Sequence, residues 1–286
     1  IEKIDRILND NIFEGINIHY FGGEPLLNIP VLIYLDENIK KITDKIGIVY
    51  KAFLTTNGSM LSKELLQKVK FSSIQLTFDG LEKTHDRLRV SDHFHFKEEI
   101  ELIENIMNFS QAKVLLRTNI CKENKDEIIA LHKYIFEKFG NERIEINPNR
   151  TIKYHQDDSF EMLSVQEYAE VAYQIKLLWS EQKGKFELPV PRSTPCKFPY
   201  GNAYAISPEG YCTFCSGSMD QEKKYFFDVD IENKKMFSVR KECKKCNILP
   251  LCLGGCIIQY NLRAGACTYE KYELKNILIS YIKHIS

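Results

Sequence analysis

His19-Tyr20-Phe21-Gly22-Gly23-Glu24-Pro25 is the stretch on which the reading of the fold turns. It closes a short apolar, β-prone run, Ile16–Phe21, and precedes a stretch with helical periodicity, Val31–Ile46. Two glycines directly after a strand let a ligand approach the backbone, whose N–H and C=O groups can serve a small zwitterion. Glu24 beside them can accept from an ammonium group. The same alternation continues outward. Ile48–Leu54, Ser73–Phe78, Lys113–Ile120 and Ile144–Ile146 read as strands, and Lys63–Lys70, Phe96–Phe109 and Lys125–Phe139 read as helices. Strands separated by helices of this length form βαβ units and a parallel sheet. Right-handed crossovers would curl that sheet into an open or closed barrel, with its working residues on the loops after the strands.

Each later strand also ends in polar residues: Thr55-Thr56-Asn57-Gly58, then Thr77-Phe78-Asp79-Gly80 with His85-Asp86 and Arg89, then Arg117-Thr118-Asn119. Taken singly, these have ordinary explanations. Gly-Gly or Asn-Gly after a strand is usually a turn, His85 and Asp86 suit a solvated helix start, and Arg117 suits a buried ion pair. Their recurrence at successive strand ends is what points to a ligand.

The cysteines mark a second region. Of nine, only Cys121 precedes residue 196. The rest are Cys196, Cys212, Cys215 and the run Cys243-x2-Cys246-x5-Cys252-x3-Cys256, with Cys267 beyond. Eight thiols make two sets of four, which suits [4Fe–4S] clusters or tetrahedral zinc. Cys212/Cys215 and Cys243/Cys246 could form a zinc-ribbon pair, whereas the compact x2, x5, x3 run is less like a ribbon. Disulfides rank third in a chain long enough to need no staples.

Composition bounds the rest. Lys+Arg and Asp+Glu are both 39 in 286 residues, so no basic surplus argues for nucleic acid. No apolar run approaches the ~20 residues that span a bilayer, and the first residues lack a secretory core, so a cytoplasmic setting is expected without a membrane. Residues 151–190 read as a bridge containing a helix at Ser164–Glu181, 191–270 as loop-rich with a hairpin at Tyr204–Phe214, and Lys271–His284 as a final amphipathic helix.

Together the strand-end motifs resemble those of the radical S-adenosylmethionine (SAM) superfamily, and the cysteine region resembles its SPASM domain, which carries auxiliary clusters. The resemblance implies an α/β fold: a partial (β/α)6 TIM-like barrel over 1–150, its first strand missing, then the bridge, a SPASM domain over 191–270 and the helix at 271–286. It implies that Gly22, Gly23, Glu24 and Pro25, with Asn57, Thr77, Asp79 and Arg117, form the SAM site. Gly22, Gly23 and Glu24 would hold the amino group, and Thr77 would stand near the carboxylate with help from Arg117. Cys243, Cys246, Cys252 and Cys267 would ligate an outer auxiliary [4Fe–4S] cluster, and Cys196, Cys215 and Cys256 an inner one. The inner cluster's usual fourth ligand would lie within 197–203, which holds no cysteine; Cys212 is a replacement, or that iron stays open to a substrate thiolate.

A third, SAM-binding cluster would need a CxxxCxxC loop upstream of His19, and no cysteine stands there. The chain therefore reads as a fragment, or as a natural homologue that lost the chemistry, and should not cleave SAM by itself. The implied activity is modification of a peptide or protein through a 5′-deoxyadenosyl radical, as in ribosomal peptide maturases, with an electron donor such as flavodoxin or ferredoxin. The alternatives are an anaerobic sulfatase-type formylglycine maturase and a non-catalytic, cluster-carrying or peptide-binding homologue.

Overall fold

Alternation of buried apolar positions with helix start and stop signals builds the first half of the chain. In the computed structural model the described residues are 1–10, 13–89, 91, 93–140, 142–153, 160–193, 203–213, 224–225, 240–256 and 267–285. They fall into two compact units, 1–151 and 152–286.

Unit one runs α1 (Glu2–Asp10), β1 (Gly15–Tyr20), a single 3-10 turn (Pro25–Asn28), α2 (Ile29–Ile46), β2 (Val49–Thr55), α3 (Lys63–Lys68), β3 (Phe71–Thr77), α4 (Glu82–Leu88), α5 (Phe96–Phe109), β4 (Lys113–Ile120), α6 (Ile128–Phe139) and β5 (Ile144–Arg150). The five strands lie side by side in sequence order, every pairing parallel. Helix α2 shows why the boundaries fall where they do. The Asn28 side chain accepts from the Val31 amide, Pro30 occupies the first turn, and Gly47 closes the helix at φ 76°.

The two faces of the sheet differ. On one, Leu54, Ile74, Leu76, Val114, Leu116, Ile120 and Ile144 are at most 1% exposed. Burial of this kind contributes about 1.5–3 kcal/mol per large apolar side chain. Thr118 on this face reaches His132 of α6 at 3.1 Å, so this is the helix-covered side. Burial lowers the His132 pKa to about 3, holding the ring neutral. The other face carries His19, Thr55, Gln75, Thr77, Arg117, Asn119, Asn147 and Asn149 near the strand ends, as the register requires. A parallel sheet covered on both faces is ordinarily apolar throughout. A polar inner face marks a surface built to meet something other than a helix.

Three expectations need revision. Strand β5 runs on through Asn147-Pro148-Asn149 to Arg150, past Ile146, where the apolar run in the sequence ends. It is the edge strand, so the amide that proline lacks is not missed. Helix α6 starts at Ile128 rather than Lys125, because the Asn124 side chain takes the Cys121 N–H and the carbonyls of Asp79 and Asn119 for itself. His85 and Asp86 lie inside α4, with His85 buried rather than solvated.

Unit two holds α7 (Val165–Lys183), three short antiparallel strands, Ala205–Ile206, Tyr211–Thr213 and Lys224–Tyr225, then a 3-10 turn at Lys241–Cys243, a single helical turn at Leu249–Cys252 and a last helix at Glu270–Ile285. The anticipated hairpin turns at Ser207–Gly210, closed by the Gly210 amide on the Ser207 carbonyl, with Gly210 at φ 86°. Phe214, its expected end, lies outside the described residues. Helix α7 opens with a reciprocal cap: Ser164 Oγ accepts from the Glu167 amide at 3.1 Å, and Glu167 accepts from the Ser164 amide at 2.8 Å. It packs on the last helix through Tyr168 edge-on to Tyr269, Tyr173 bonded to Ser280, and Lys176 bidentate on Glu273 at 2.6 and 2.8 Å.

Candidate functional site

The loop after β1 is open around its two glycines. Gly22 stands at φ 147°, and a Cβ placed on Gly22 or Gly23 would meet nothing within 4 Å. Backbone groups here face free space, which is what a small ligand needs. Glu24 anchors the loop. Its Oε1 accepts from the Leu26 amide at 3.0 Å and from Thr56 Oγ1 at 2.7 Å, while Oε2 accepts from the Asn57 amide at 2.7 Å. It thereby caps the turn that Pro25 begins and ties the β1 loop to the β2 loop. Asn57 braces its own loop, its Oδ1 accepting from the Ser59 amide and hydroxyl. The sequence had reserved the Glu24 carboxylate for an ammonium; in the structure three donors of the chain already engage it.

Thr77 ends β3 and is 6% exposed. Two residues on, Asp79 accepts from Arg89 Nε at 2.9 Å and from the Asn119 amide at 3.1 Å, so its carboxylate binds the end of β3 to that of β4. Arg117 directs Nε to Asn119 Oδ1 at 2.9 Å on the same face. Beneath lies a buried pair: His85 Nε2 is 3.2 Å from Glu99 Oε2. The distance suits an ion pair, yet burial pushes the Glu99 carboxyl up to about 8 and the His85 ring down to about 4, the nearby Arg89 charge also disfavouring a charged ring. Desolvation governs both groups, so we read the pair as a neutral hydrogen bond.

Three residues of the inner face, Gln75, Asn147 and Asn149, were missed in the sequence, and His19 was quoted there without a role. His19 reaches Thr55 Oγ1 at 2.8 Å, and Asn147 bridges Gln75 and Asn149 at 3.0 Å each. Their signal was polar residues two apart on a strand, Gln75/Thr77, Arg117/Asn119 and Asn147/Asn149, which must share a face. It went unread because β5 was ended at Ile146.

In unit two, Cys243, Cys246, Cys252 and Cys267 line a single cavity, together with Arg240 and Lys271. The Gly254 amide donates to Cys252 Sγ at 3.4 Å, and Lys271 Nζ lies 3.9 Å from Cys267 Sγ. Among the described residues no three or more His, Cys, Asp and Glu side chains close around a metal ion. Cys256 is half-buried and not in this wall, and Cys212 is buried on its short strand. Cys196, Cys215 and 197–202 lie outside the described residues. Cys121 is buried at the end of β4 in unit one, its amide held by Asn124.

No protein-family model matches the chain, and no curated protein sequence matches it either. Solved structures do, and at the level of fold. The chain has an α/β fold on a parallel five-stranded sheet, similar to that of radical SAM/SPASM structures. One such structure is anSMEcpe, an anaerobic sulfatase-maturating enzyme, with bound AdoMet; it shares 16% identity over 99% of this chain and 89% of its own, at a TM-score of 0.72. The same protein with AdoMet and the Kp18Cys peptide gives 17% and 0.70 over 99% of this chain and 88% of its own. Streptococcus suis SuiB bound to S-adenosylmethionine gives 17% and 0.59 over 91% of this chain and 66% of its own.

Proposed function

We propose that this chain acts as a radical SAM protein with auxiliary iron–sulfur clusters that modifies a peptide or protein substrate. The observation that carries the reading is the meeting of Cys243, Cys246, Cys252 and Cys267 around one cavity. Four thiols around one space suit a [4Fe–4S] cluster or tetrahedral zinc, and the compact x2, x5, x3 spacing, less like a zinc ribbon, favours the cluster. Gly254 N–H and Lys271 are donors aimed at those sulfurs. In this reading 1–150 is the SAM-binding barrel unit, 151–190 a bridge, 191–270 the cluster domain and 271–286 its closing helix.

The open backbone at Gly22 and Gly23 fits the methionine end of SAM, which would lie across the strand ends with Thr77 and Arg117 near its carboxylate. The chemistry that SAM would supply is a 5′-deoxyadenosyl radical able to take a hydrogen atom from the substrate, formed with methionine by one-electron reductive cleavage, and this needs a SAM-binding cluster beyond the eight thiols above. This chain's own residues bind and orient. Glu24 fixes the glycine loop against the β2 loop, and Asp79 fixes β3 against β4. The polar inner face then presents hydrogen-bonding groups to a substrate. A peptide as substrate draws support from the peptide bound to anSMEcpe, and an electron donor such as flavodoxin or ferredoxin completes the scheme. That neighbour also favours a second reading, formylglycine formation in a sulfatase. Among the described residues no helix is long and apolar enough to cross a membrane.

The test is anaerobic reconstitution followed by iron and sulfide analysis and Mössbauer spectroscopy. Close to two [4Fe–4S] clusters per chain are expected from eight thiols. Stoichiometric zinc without iron would overturn the reading.

A further inference from the structure

The four-cysteine cavity has a charge problem that its wall addresses. Four thiolates around a [4Fe–4S] core leave the oxidised assembly with two negative charges and the reduced one with three. Reduction is therefore opposed in proportion to how poorly that charge is compensated, and net charge and hydrogen bonds to sulfur are among the levers that set such potentials. The cavity wall contains no carboxylate among the described residues, but it contains two cations. Lys271 Nζ stands 3.9 Å from Cys267 Sγ. Arg240, with its side chain only 18% exposed, is locked in place by Nη2 donating to the Gly254 carbonyl at 2.8 Å. A Cβ on Gly254 would lie 3.9 Å from both the guanidinium and Cys243 Sγ, so the arginine and that sulfur both lie close to the same glycine. The Glu242 carboxylate is 3.9 Å from Arg240 Nε and 62% exposed, so this ion pair is weak.

We propose that Arg240 and Lys271 are the charge-compensating residues of this cavity and raise the reduction potential of the iron–sulfur cluster that its four cysteines would hold. The inference rests on the cluster reading above and adds the residues that tune it. Two cations against two negative charges make the oxidised site near neutral and favour the electron that follows. The partly buried arginine is screened least by solvent and carries the larger share; the exposed lysine carries the smaller.

The test is a potentiometric titration of the anaerobically reconstituted chain with dithionite and mediators, followed by electron paramagnetic resonance. Arg240→Gln and Lys271→Gln are each expected to shift one midpoint to a more negative value, the arginine change more, while the second cluster's midpoint stays put. Arg240→Lys should restore most of the shift, which a merely structural role would not. Unchanged midpoints with full iron content would overturn this inference and leave the cluster reading intact. Absence of iron from the unaltered chain would overturn both. Should Arg240→Gln lose its cluster, the exposed Lys271→Gln decides alone by the same criterion.

Discussion

At the scale of single residues, the carboxylates at the strand ends are fasteners. Glu24 joins two loops through three donors, so Glu24→Gln exchanges charge-assisted hydrogen bonds, worth about 1.5–3 kcal/mol each, for weaker ones and misplaces an amide N–H against a donor. We expect a lowered melting temperature and weakened SAM binding together. Weakened binding at an unchanged melt would show that the carboxylate acts on the ligand alone. The neutral His85–Glu99 pair makes a pH prediction. Glu99 is raised to about 8 in the fold, so between its ordinary value and 8 the folded chain holds a proton that the unfolded chain has lost, and stability falls as pH rises. His85 is depressed to about 4, so it works the other way, costing stability as pH falls from about 6.5 to 4. Above pH 6.5 only Glu99 acts. The stability difference between the unaltered chain and Glu99→Gln, from urea melts, should therefore shrink from pH 6.5 to 8; a flat difference would refute the assignment. None of this pairing was legible in the sequence, where His85 and Glu99 stand fourteen positions apart on different helices.

Elements were legible where local signals and burial agree. Phe96–Phe109 and Lys113–Ile120 have the boundaries that periodicity gives. They failed where a side chain or the tertiary context overrode the local rule, as with Asn124 before α6 and Pro148 in the edge strand. Helix α1 was given no bounds from the sequence, although Ile4, Ile7 and Leu8 stand at helical spacing in its nine residues and Leu8 is buried. The start of α7 was readable because Ser164 and Glu167 stand at capping-box spacing. Ser164→Ala removes one half of that box and should cost unit two about 0.5–2 kcal/mol, measured by denaturant melts. Iron content should not change, because the helix carries no cysteine; a loss of iron would mean that α7 bears on the cluster sites. The carboxamides of the inner face show the converse limit: their residue types were visible, but only the register of β3, β4 and β5 brings them together.

Over the whole molecule the cysteines divide by unit, and that division can be tested. The distribution along the sequence already separated Cys121 from the other eight, because a lone thiol between strand and loop is most often a small buried hydrophobe. The structure gives that reading a physical basis. Cys121 is 4% exposed, its neighbourhood is the end of β4, and burial raises its thiol pKa, which disfavours the thiolate that a metal requires. Cys252 is nearly as buried, at 9%, but it lines the cavity with three further thiols and accepts an N–H from Gly254. Burial alone therefore does not distinguish a ligand from a core residue; the company it keeps does. Cys121→Ser should retain full iron content after reconstitution, with at most a modest fall in melting temperature, because the backbone groups of Glu123 and Asn124 that bond the thiol can serve a hydroxyl. Cys252→Ser should lose about half the iron, since one of two cubanes would be short of a thiolate. Iron and sulfide counts on both variants, beside the unaltered chain, check the pair. Equal losses, or a loss confined to Cys121→Ser, would show that cluster binding is not confined to unit two.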